Sequence, residues 1–493
     1  MISGKYAGVG ALIRYNFLLK NTVIDEPYEN MPAAEVGLKK GDVILAIGDS
    51  SMVGKDVAYV SNHLRGDAGT TFILTVQRPS VNKKMKFKIT RRSIQLPAVP
   101  YYGVQDGGVG YLNLNSFTTG CAKDVRRAFL DMKKQGMTSL VFDLRNNGGG
   151  SLQEAVNIVN MFVPKGITLV KTVGKMDRAN NEYKTTVEPI DTLMPIVVLV
   201  NDESASASEI TSGSLQDLDR AVVLGTRTYG KGLVQVSMDL PYNGNLKLTS
   251  SKYYIPSGRC IQAINYKHAN GGYTEHVPDS LTHVFHTANG REVRDGGGIK
   301  PDVEVRPDSL PNIAFYLASS GRDSTEVMWN WELQYLKKHP TIGPAKTFVI
   351  SDADFEDFKQ AVLKSGFKYD RESKKYLENL VKLAKFEGYY DDAKGEFEAL
   401  EKKLNHNLAK DLDYNKQTLK KVLTSDLVSA YYYQKGSLEN SLQFDKQWKK
   451  AVEILQNLTE YKKLLQPVVG QPLVKLEPAS NVAVDKKPKS KAK

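Results

Sequence analysis

The chain has 493 residues, a hydrophobic content of 41% and a formal net charge of +12 at pH 7. This length allows two to four domains with sizeable cores, and no apolar run approaches the roughly 18 residues of a membrane-spanning helix. Part of the charge lies at the end of the chain, where residues 485–493 contain five lysines and one aspartate. Solubility and a disordered tail therefore explain the charge better than nucleic-acid binding does, and no nucleic-acid motif accompanies it.

The first segment, residues 6–92, predicts a small domain of short strands and one helix. Strand or helix patterns fall at 11–14, 57–64 and 71–77. Between them, Pro32 to Ile44 follows the order P-A-x-x-x-G-L-x-x-G-D-x-I. This order resembles a PDZ domain, and the resemblance covers the whole segment.

A PDZ domain binds the terminal carboxylate of a peptide with a glycine-containing loop and pairs the peptide with the next strand. By resemblance, the groove consists of Gly8, Val9, Gly10, Ala11 and Leu12. Taken singly, the two glycines are also consistent with a tight turn. Arg65, at the end of the amphipathic helix, is either a contact between domains or an exposed helix-end arginine.

The second predicted domain, residues 98–308, alternates strands and helices. A strand pattern at 109–117 is followed by an amphipathic helix at 122–135 and a buried strand at 140–144. That strand leads into the glycine-rich loop at 145–150, which places backbone N–H groups at the start of a helix. Because the loop matches neither a dinucleotide-binding pattern nor a P-loop, it does not predict a phosphate site.

A second strand-to-helix turn contains three candidate nucleophiles. An apolar strand at 195–200 leads into alternating serines and alanines, Ser204, Ser206 and Ser208, and then into a helix. Helix N-terminal N–H groups at such a turn stabilise developing negative charge. Ser206 also forms an S-x-x-E capping box with Glu209, and local chemistry alone favours this structural interpretation over a nucleophile.

Lys231 follows after one helix and one strand, between two glycines. An unperturbed lysine has a pKa of about 10.4, and burial lowers a lysine pKa enough for the neutral amine to accept a serine proton. If Lys231 to Val236 is a strand, Gln235 shares the face of Lys231 and orients its amine. A lone lysine is more commonly a solvated surface charge, and the glycines weaken that alternative without removing it.

Three stretches together resemble the carboxyl-terminal processing (tail-specific) serine proteases. They are S-A-S-A-S-E-I from Ser204, G-K-G-x-V-Q from Gly230 and D-L-R-N-N-G-G-G from Asp143. Members of this family combine a PDZ domain with a crotonase-like protease core and use a Ser–Lys dyad. The combination is specific because each motif is long and the three occur in the family's order.

The resemblance implies a role for each matching residue. Ser206 corresponds to the nucleophile, Lys231 to the general base and Gln235 to the residue that positions the base. The implied oxyanion hole is formed by Gly148 or Gly149 together with Ala207. No cofactor is implied.

Other polar residues carry weaker signals. Asp217 aligns with an acidic position of the family, but a surface acid at a helix end is the favoured interpretation. Cys121 and Cys260 have no metal-ligand spacing and are predicted to be small buried hydrophobic residues. The histidines of a polar, glycine-rich insertion lack a helical i, i+4 pair and predict no metal site: His268, His276, His283 and His286.

After the core, residues 309–470 predict a helical region and residues 471–493 a basic disordered tail. In the helical region, Ser351 to Gly366 has apolar positions at helical spacing, a capping residue at its start and a glycine at its end. The helices are predicted to pack on the core, to mediate self-association or to bind an adaptor, and the sequence leaves these alternatives open.

These patterns predict an α/β multidomain fold with a PDZ domain, a crotonase-like core of ββα repeats and a C-terminal helical region. The predicted function is a serine endopeptidase that binds exposed apolar C-terminal tails of proteins through the PDZ domain and cleaves with a Ser–Lys dyad. A catalytically silent PDZ scaffold and a crotonase-type acyl-CoA enzyme are the alternatives. The intact catalytic residues argue against the first, and the PDZ pattern argues against the second.

Family members normally carry an export signal and a helical segment before the PDZ domain. Met1 to Gly4 has neither a basic region nor an apolar region of a signal peptide. The chain is therefore expected to be truncated at its N-terminus. A periplasmic or cell-envelope location is expected from the family resemblance alone.

Overall fold

The computed structural model describes residues 5–242, 244–263, 277–319, 321–404 and 407–467. His268, His276 and the predicted tail at 471–493 lie outside the described residues. The chain divides into two compact units, each built from separate stretches. Of the described residues, unit 1 contains those within 97–307 and 445–467, and unit 2 contains those within 5–96 and 308–444.

Unit 2 begins with the predicted PDZ segment. Its elements are β1 (Lys5–Gly8), β2 (Ala11–Asn16), β3 (Asn21–Pro27), α1 (Pro32–Glu35), β4 (Val43–Ile47), β5 (Ser50–Ser51), α2 (Val57–Leu64), β6 (Thr71–Arg78), β7 (Lys83–Thr90) and β8 (Arg92–Gln95). An antiparallel sheet in the order β2-β3-β4-β6-β7 packs on an aliphatic core, while β1 pairs with β8. Helix α2 spans the predicted residues 57–64, and Asp56 caps its first turn by accepting the Tyr59 N–H at 2.7 Å.

Unit 1 contains the predicted protease core. Its elements are β9 (Tyr102–Val104), β10 (Val109–Asn113), α3 (Cys121–Lys134), β11 (Ser139–Asp143), α4 (Leu152–Val159), β12 (Thr168–Gly174), β13 (Asn181–Lys184), β14 (Ile196–Val200), α5 (Ala207–Asp217), β15 (Val222–Gly225), β16 (Leu233–Leu240), β17 (Gly244–Tyr254), β18 (Val284–His286), β19 (Glu292–Arg294) and β20 (Val303–Glu304). The main sheet has the order β20-β15-β14-β11-β10-β9 and is parallel except for β9. Buried strands of this sheet are apolar throughout, as expected when both faces are covered.

Unit 1 also contains a smaller antiparallel sheet. Its order is β13-β12-β17-β16, so β16 is an edge strand, and β18 pairs with β19 in a separate hairpin. Loops at the carboxyl ends of β11 and β14 carry the glycine-rich and serine-rich motifs. Because these strands are parallel neighbours, both motifs emerge at the same edge of the main sheet.

The helical part of unit 2 consists of α6 (Asn312–Ala318), α7 (Val327–Lys338), α8 (Asp352–Ser365), α9 (Glu372–Glu387), α10 (Lys394–Lys403), α11 (Leu408–Tyr414) and α12 (Lys416–Ser441). Ser351 caps α8, and Gly366 ends it in the left-handed conformation, as predicted. Among the helices that the structure describes, none combines the length and apolar character needed to cross a membrane.

The predicted helical region at 309–470 is divided between the two units. Two more helices, α13 (Lys446–Gln456) and α14 (Leu458–Leu464), belong to unit 1. The strongly amphipathic α13 contacts β11, β14 and β15, and its Trp448 ring lies edge-on to Tyr111 of the main sheet. Tyr111 and Leu112 are successive residues of one strand, so their side chains point to opposite faces of that sheet. Leu112 belongs to the same buried cluster as residues of α3, α4 and α5, so these three helices cover its face. Helix α13 therefore covers the face that the three core helices leave open.

Candidate active site

Ser206 ends the turn between β14 and α5, directly before the helix. Its backbone has φ +56° and ψ −111°, a combination that non-glycine residues rarely adopt and that costs about 1–3 kcal/mol. Surrounding contacts hold this conformation, since Glu209 accepts the Ser206 N–H at 2.8 Å. This bond is the acidic half of the predicted capping box. The turn leaves Ser206 half-buried at the positive end of the helix dipole.

Ser204 and Ser208, the other two candidate nucleophiles, are fully buried. Ser204 Oγ donates to the Leu144 carbonyl at 2.8 Å, and Ser208 Oγ donates to the Asn147 carbonyl at 2.7 Å. Both hydroxyls therefore tie the serine turn to the glycine-rich loop. Ser206 differs from them because it lines a cavity.

This cavity, of about 640 Å³, is lined by all three predicted catalytic residues, Ser206, Lys231 and Gln235. Strand β16 begins only at Leu233, and its register shifts between Val234 and Gln235. The predicted strand from residue 231 is therefore wrong: Lys231 lies in the preceding loop and does not share a strand face with Gln235. Both residues nevertheless line the same cavity, one from the loop and one from the strand.

Two buried side chains hold the backbones of Ser206 and Lys231. Glu209 Oε2 accepts the N–H of Ser206 at 2.8 Å and the N–H of Lys231 at 2.9 Å, while Oε1 accepts the Gly230 N–H at 2.7 Å. The Tyr253 hydroxyl lies 2.7 Å from the Lys231 carbonyl oxygen and 3.3 Å from the Ser206 carbonyl oxygen, and it donates to both. One carboxylate and one phenol thus fix the backbones of the two residues relative to each other.

Burial governs the ionisation of both side chains. It raises the pKa of the Glu209 carboxyl, and hydrogen bonds oppose this rise, beginning with the one from the Thr228 hydroxyl. Burial also raises the pKa of Tyr253 well above its usual value, and the Glu209 charge adds to the effect. Tyr253 therefore stays protonated at neutral pH and acts as a donor.

The sequence pattern identifies Glu209 only as a helix cap and gives no role to Tyr253. Tyr253 directly precedes the segment Y-I-P-S-G-R that begins at Tyr254. An aromatic residue in a strand beside this segment was the available signal. Its contact with Ser206 and Lys231 depends on the pairing of β17 with β16, which the sequence does not specify.

The glycine-rich loop after β11 contacts the serine turn through Asn147. The Asn147 carbonyl accepts the Ala205 N–H at 3.1 Å, and its side-chain oxygen accepts the Gly149 N–H at 2.9 Å. The Gly149 N–H is therefore engaged within the loop. Gly148 is exposed and lines the cavity, and nowhere in the described chain is an acceptor found for its N–H or for that of Ala207. Of the two predicted glycines, this geometry favours Gly148 as an oxyanion donor.

At Gly149 the loop backbone packs closely against the serine turn. Its φ is +96°, and a Cβ at this position would lie 2.6 Å from the Ala205 carbonyl oxygen, 2.8 Å from Ser206 Cβ and 2.9 Å from the Ala207 nitrogen. No side chain fits there without moving backbone atoms. The glycine therefore allows the direct approach of the loop to Ser206.

The five predicted peptide-binding residues, Gly8 to Leu12, all line one cavity of about 310 Å³ in unit 2. Residues of α2 and Arg65 also line it. Gly10 has φ +71°, and a Cβ there would lie 2.5 Å from Met31 Cβ, so the loop requires glycine at this position. Strand β2 is an edge strand of the sheet, which is the arrangement that accepts an added peptide strand.

Two predictions about single residues are wrong. Asp217 is fully buried, and its carboxylate forms a 2.8 Å ion pair with Arg259, which is also buried. It is therefore not a surface acid, because a residue 42 positions later supplies its partner. Cys121 is buried as predicted, whereas Cys260 is only half-buried.

Comparisons with known proteins assign a family to each part of the chain. Residues 108–268 match the model of peptidase family S41, residues 23–78 match a PDZ domain, and residues 316–455 match a domain described as "Probable PDZ-protease, C-terminal helical domain". The three matches follow the order of the predicted PDZ segment, core and helical region.

Two named bacterial relatives show the extent of the similarity. The chain is 37% identical to a carboxy-terminal-processing protease of Bartonella bacilliformis over 53% of this chain and 60% of the relative. It is 31% identical to a probable CtpA-like serine protease of Staphylococcus aureus over 77% of this chain and 65% of the relative. The chain thus spans less than two thirds of the length of each of these relatives.

A solved structure, the photosystem II D1 C-terminal processing protease, is 27% identical over 62% of this chain and 74% of that chain. Its TM-score is 0.34. The domain models and the named relatives confirm the resemblance seen in the sequence: the chain carries a peptidase family S41 domain together with a PDZ domain and the helical domain of PDZ-proteases.

Proposed function

We propose that the chain is a serine endopeptidase with a Ser206–Lys231 dyad that acts on proteins with exposed, apolar C-terminal tails. The observation that carries the proposal is the convergence of Ser206, Lys231 and Gln235 on one cavity. The backbone hydrogen bonds that Glu209 accepts and Tyr253 donates at Ser206 and Lys231 support it, because a dyad requires a fixed distance between nucleophile and base.

In the proposed reaction, Ser206 Oγ attacks the carbonyl carbon of the scissile peptide bond, and the neutral Lys231 amine takes the hydroxyl proton. The developing oxyanion accepts hydrogen bonds from the N–H groups of Gly148 and Ala207. Removal of one such donor typically costs about 3–4 kcal/mol in the transition state. Lys231 then donates its proton to the leaving amine, and water activated by the same amine hydrolyses the acyl-enzyme.

Substrate selection is proposed to occur in unit 2. A C-terminal carboxylate binds the backbone N–H groups of the loop at Gly8 to Gly10, and the preceding peptide adds to the open edge of β2. The cavity there is lined by Val57 and Leu64 of α2, which favours an apolar terminal side chain. The C-terminal helices are further candidates for self-association or adaptor binding.

Cleavage of an unfolded protein with an apolar C-terminus tests the proposal. Ser206→Ala and Lys231→Ala should each reduce the rate by at least about 10³-fold, because either change removes a member of the dyad. Ser116→Ala and Lys247→Ala are matched controls, since both residues line the same cavity, and each should lower the rate less than 10-fold.

Three outcomes separate the alternatives. Cleavage that weakens when the substrate tail is amidated or made charged supports recognition of the tail by the PDZ groove. Turnover that survives Ser206→Ala excludes the proposed nucleophile. Binding of the tail without cleavage by the wild-type chain favours the silent PDZ scaffold. Fractionation of cells that express the chain tests the predicted periplasmic or cell-envelope location.

A further inference from the structure

The hairpin of β16 and β17 has one apolar face that is open to solvent. Its cross-strand pairs Val236–Leu248 and Met238–Leu246 lie on this face with Leu240, and all five side chains are between 40% and 46% exposed. The alternating residues on the other face are polar: Ser237, Asp239, Asn245, Lys247 and Thr249. Such a face, with no cover among the described residues, marks an interaction surface.

The same hairpin also offers an unpaired strand edge. Strand β16 is eight residues long and pairs only with β17 among the strands that the structure describes. Edge strands are usually protected by lysine, proline or short length, yet β16 reads L-V-Q-V-S-M-D-L and contains a single charge, Asp239. A strand of this kind is suited to pair with another extended chain.

The edge begins at the proposed catalytic cavity. Leu233, Val234 and Gln235, the first residues of β16, line the cavity that contains Ser206 and Lys231. From Gln235 to Leu240 the strand is about 16 Å long, at about 3.3 Å per residue, and Lys247, which pairs with Ser237, also lines the cavity. A polypeptide chain in the cavity can therefore continue directly along this edge.

From this continuity we infer that β16 binds the substrate next to the scissile bond, as an added strand along its free edge. The substrate is an unfolded polypeptide, because backbone pairing requires an extended chain. Alternate substrate side chains lie over the apolar face at Val236 and Met238, so the site selects segments with apolar residues at every second position. This inference rests on the proposed protease function and names the form in which that function takes its substrate.

Binding to the full chain with Ser206→Ala tests the inference without requiring cleavage. The probe is fluorescein-labelled, reduced and carboxymethylated α-lactalbumin, which is unfolded. Adding Val236→Gln and Met238→Gln should weaken its Kd about 5–10-fold. Adding Asn245→Gln and Thr249→Gln, two exposed residues on the polar face of β17, should change it less than 2-fold. In the active chain, the first pair should raise KM for this protein by the same factor, whereas the second pair should change KM less than 2-fold.

Equal Kd values for the two double variants would overturn the inference. A dimer that Val236→Gln and Met238→Gln convert to a monomer in sedimentation, with an unchanged Kd, would instead assign the surface to a second copy of the chain. Weakened binding in a chain that never cleaves the probe would support the strand-binding role and exclude the proposed catalysis. The two claims therefore fail separately.

Discussion

Gly149→Ala is the substitution that most directly tests the contact between the glycine-rich loop and Ser206. An alanine at φ +96° costs about 1–2 kcal/mol in backbone strain alone. Its Cβ would also lie 2.6–2.9 Å from atoms of Ala205, Ser206 and Ala207, so the turn must move by several tenths of an ångström or more. Because a displacement of about 1 Å can cost 10²-fold in rate, cleavage should fall by about 10²-fold or more.

Gly166→Ala is the matched control. Gly166 has φ +89°, nearly the same backbone strain, and an added Cβ there meets nothing within 4 Å. Both variants should lose stability, by about 2–4 °C in Tm for each kcal/mol of strain, but only Gly149→Ala should lose activity beyond its unfolded fraction. Thermal unfolding and kcat/KM on an unfolded protein substrate measure the two effects. Equal activity of the two folded variants would refute the reasoning.

Three further predictions follow from buried polar groups. Tyr253→Phe removes the donor to the Ser206 and Lys231 carbonyls. In steady-state kinetics, kcat should therefore fall about 10-fold with KM nearly unchanged. An unchanged kcat would argue against a role for this contact. Arg259→Ala leaves the Asp217 carboxylate buried without its ion-pair partner. The free energy of unfolding measured in urea should therefore fall by about 3–5 kcal/mol. A decrease below about 1 kcal/mol would contradict the role of the ion pair. Burial raises the pKa of Glu332 to about 8 from an ordinary 4.5, so its protonated form stabilises the fold at low pH and this contribution is lost as pH rises to about 8. The Tm of the wild type should therefore fall relative to that of Glu332→Gln between about pH 5 and 8, and parallel Tm curves would contradict this.

Local patterns predict the elements whose ends are set by neighbouring residues. The caps at Asp56 and Ser351 lie within three residues of the N–H groups that they bind, so the sequence predicts where α2 and α8 start. Family motifs predict Ser206 and Lys231, and the structure brings both to one cavity.

Contacts between distant residues explain what the sequence does not predict. Asp217 is buried because Arg259 reaches it, and α13 belongs to unit 1 because its apolar face packs on the main sheet. Tyr253 approaches Ser206 and Lys231 only after the smaller sheet forms. Periodicity and propensity do not report such long-range pairings, since each depends on which elements become neighbours.

The most direct test of the Ser206–Lys231 dyad is to locate the acyl group in an acid-quenched reaction. The chain is incubated with an activated ester of an apolar peptide, quenched, and analysed by intact mass and tandem mass spectrometry. The proposed mechanism predicts one acyl group per chain, on Ser206, that is absent in Ser206→Ala and forms at least about 10³-fold more slowly in Lys231→Ala. An acyl group on Ser116, Ser208 or any other residue, or acylation unaffected by Lys231→Ala, would contradict it.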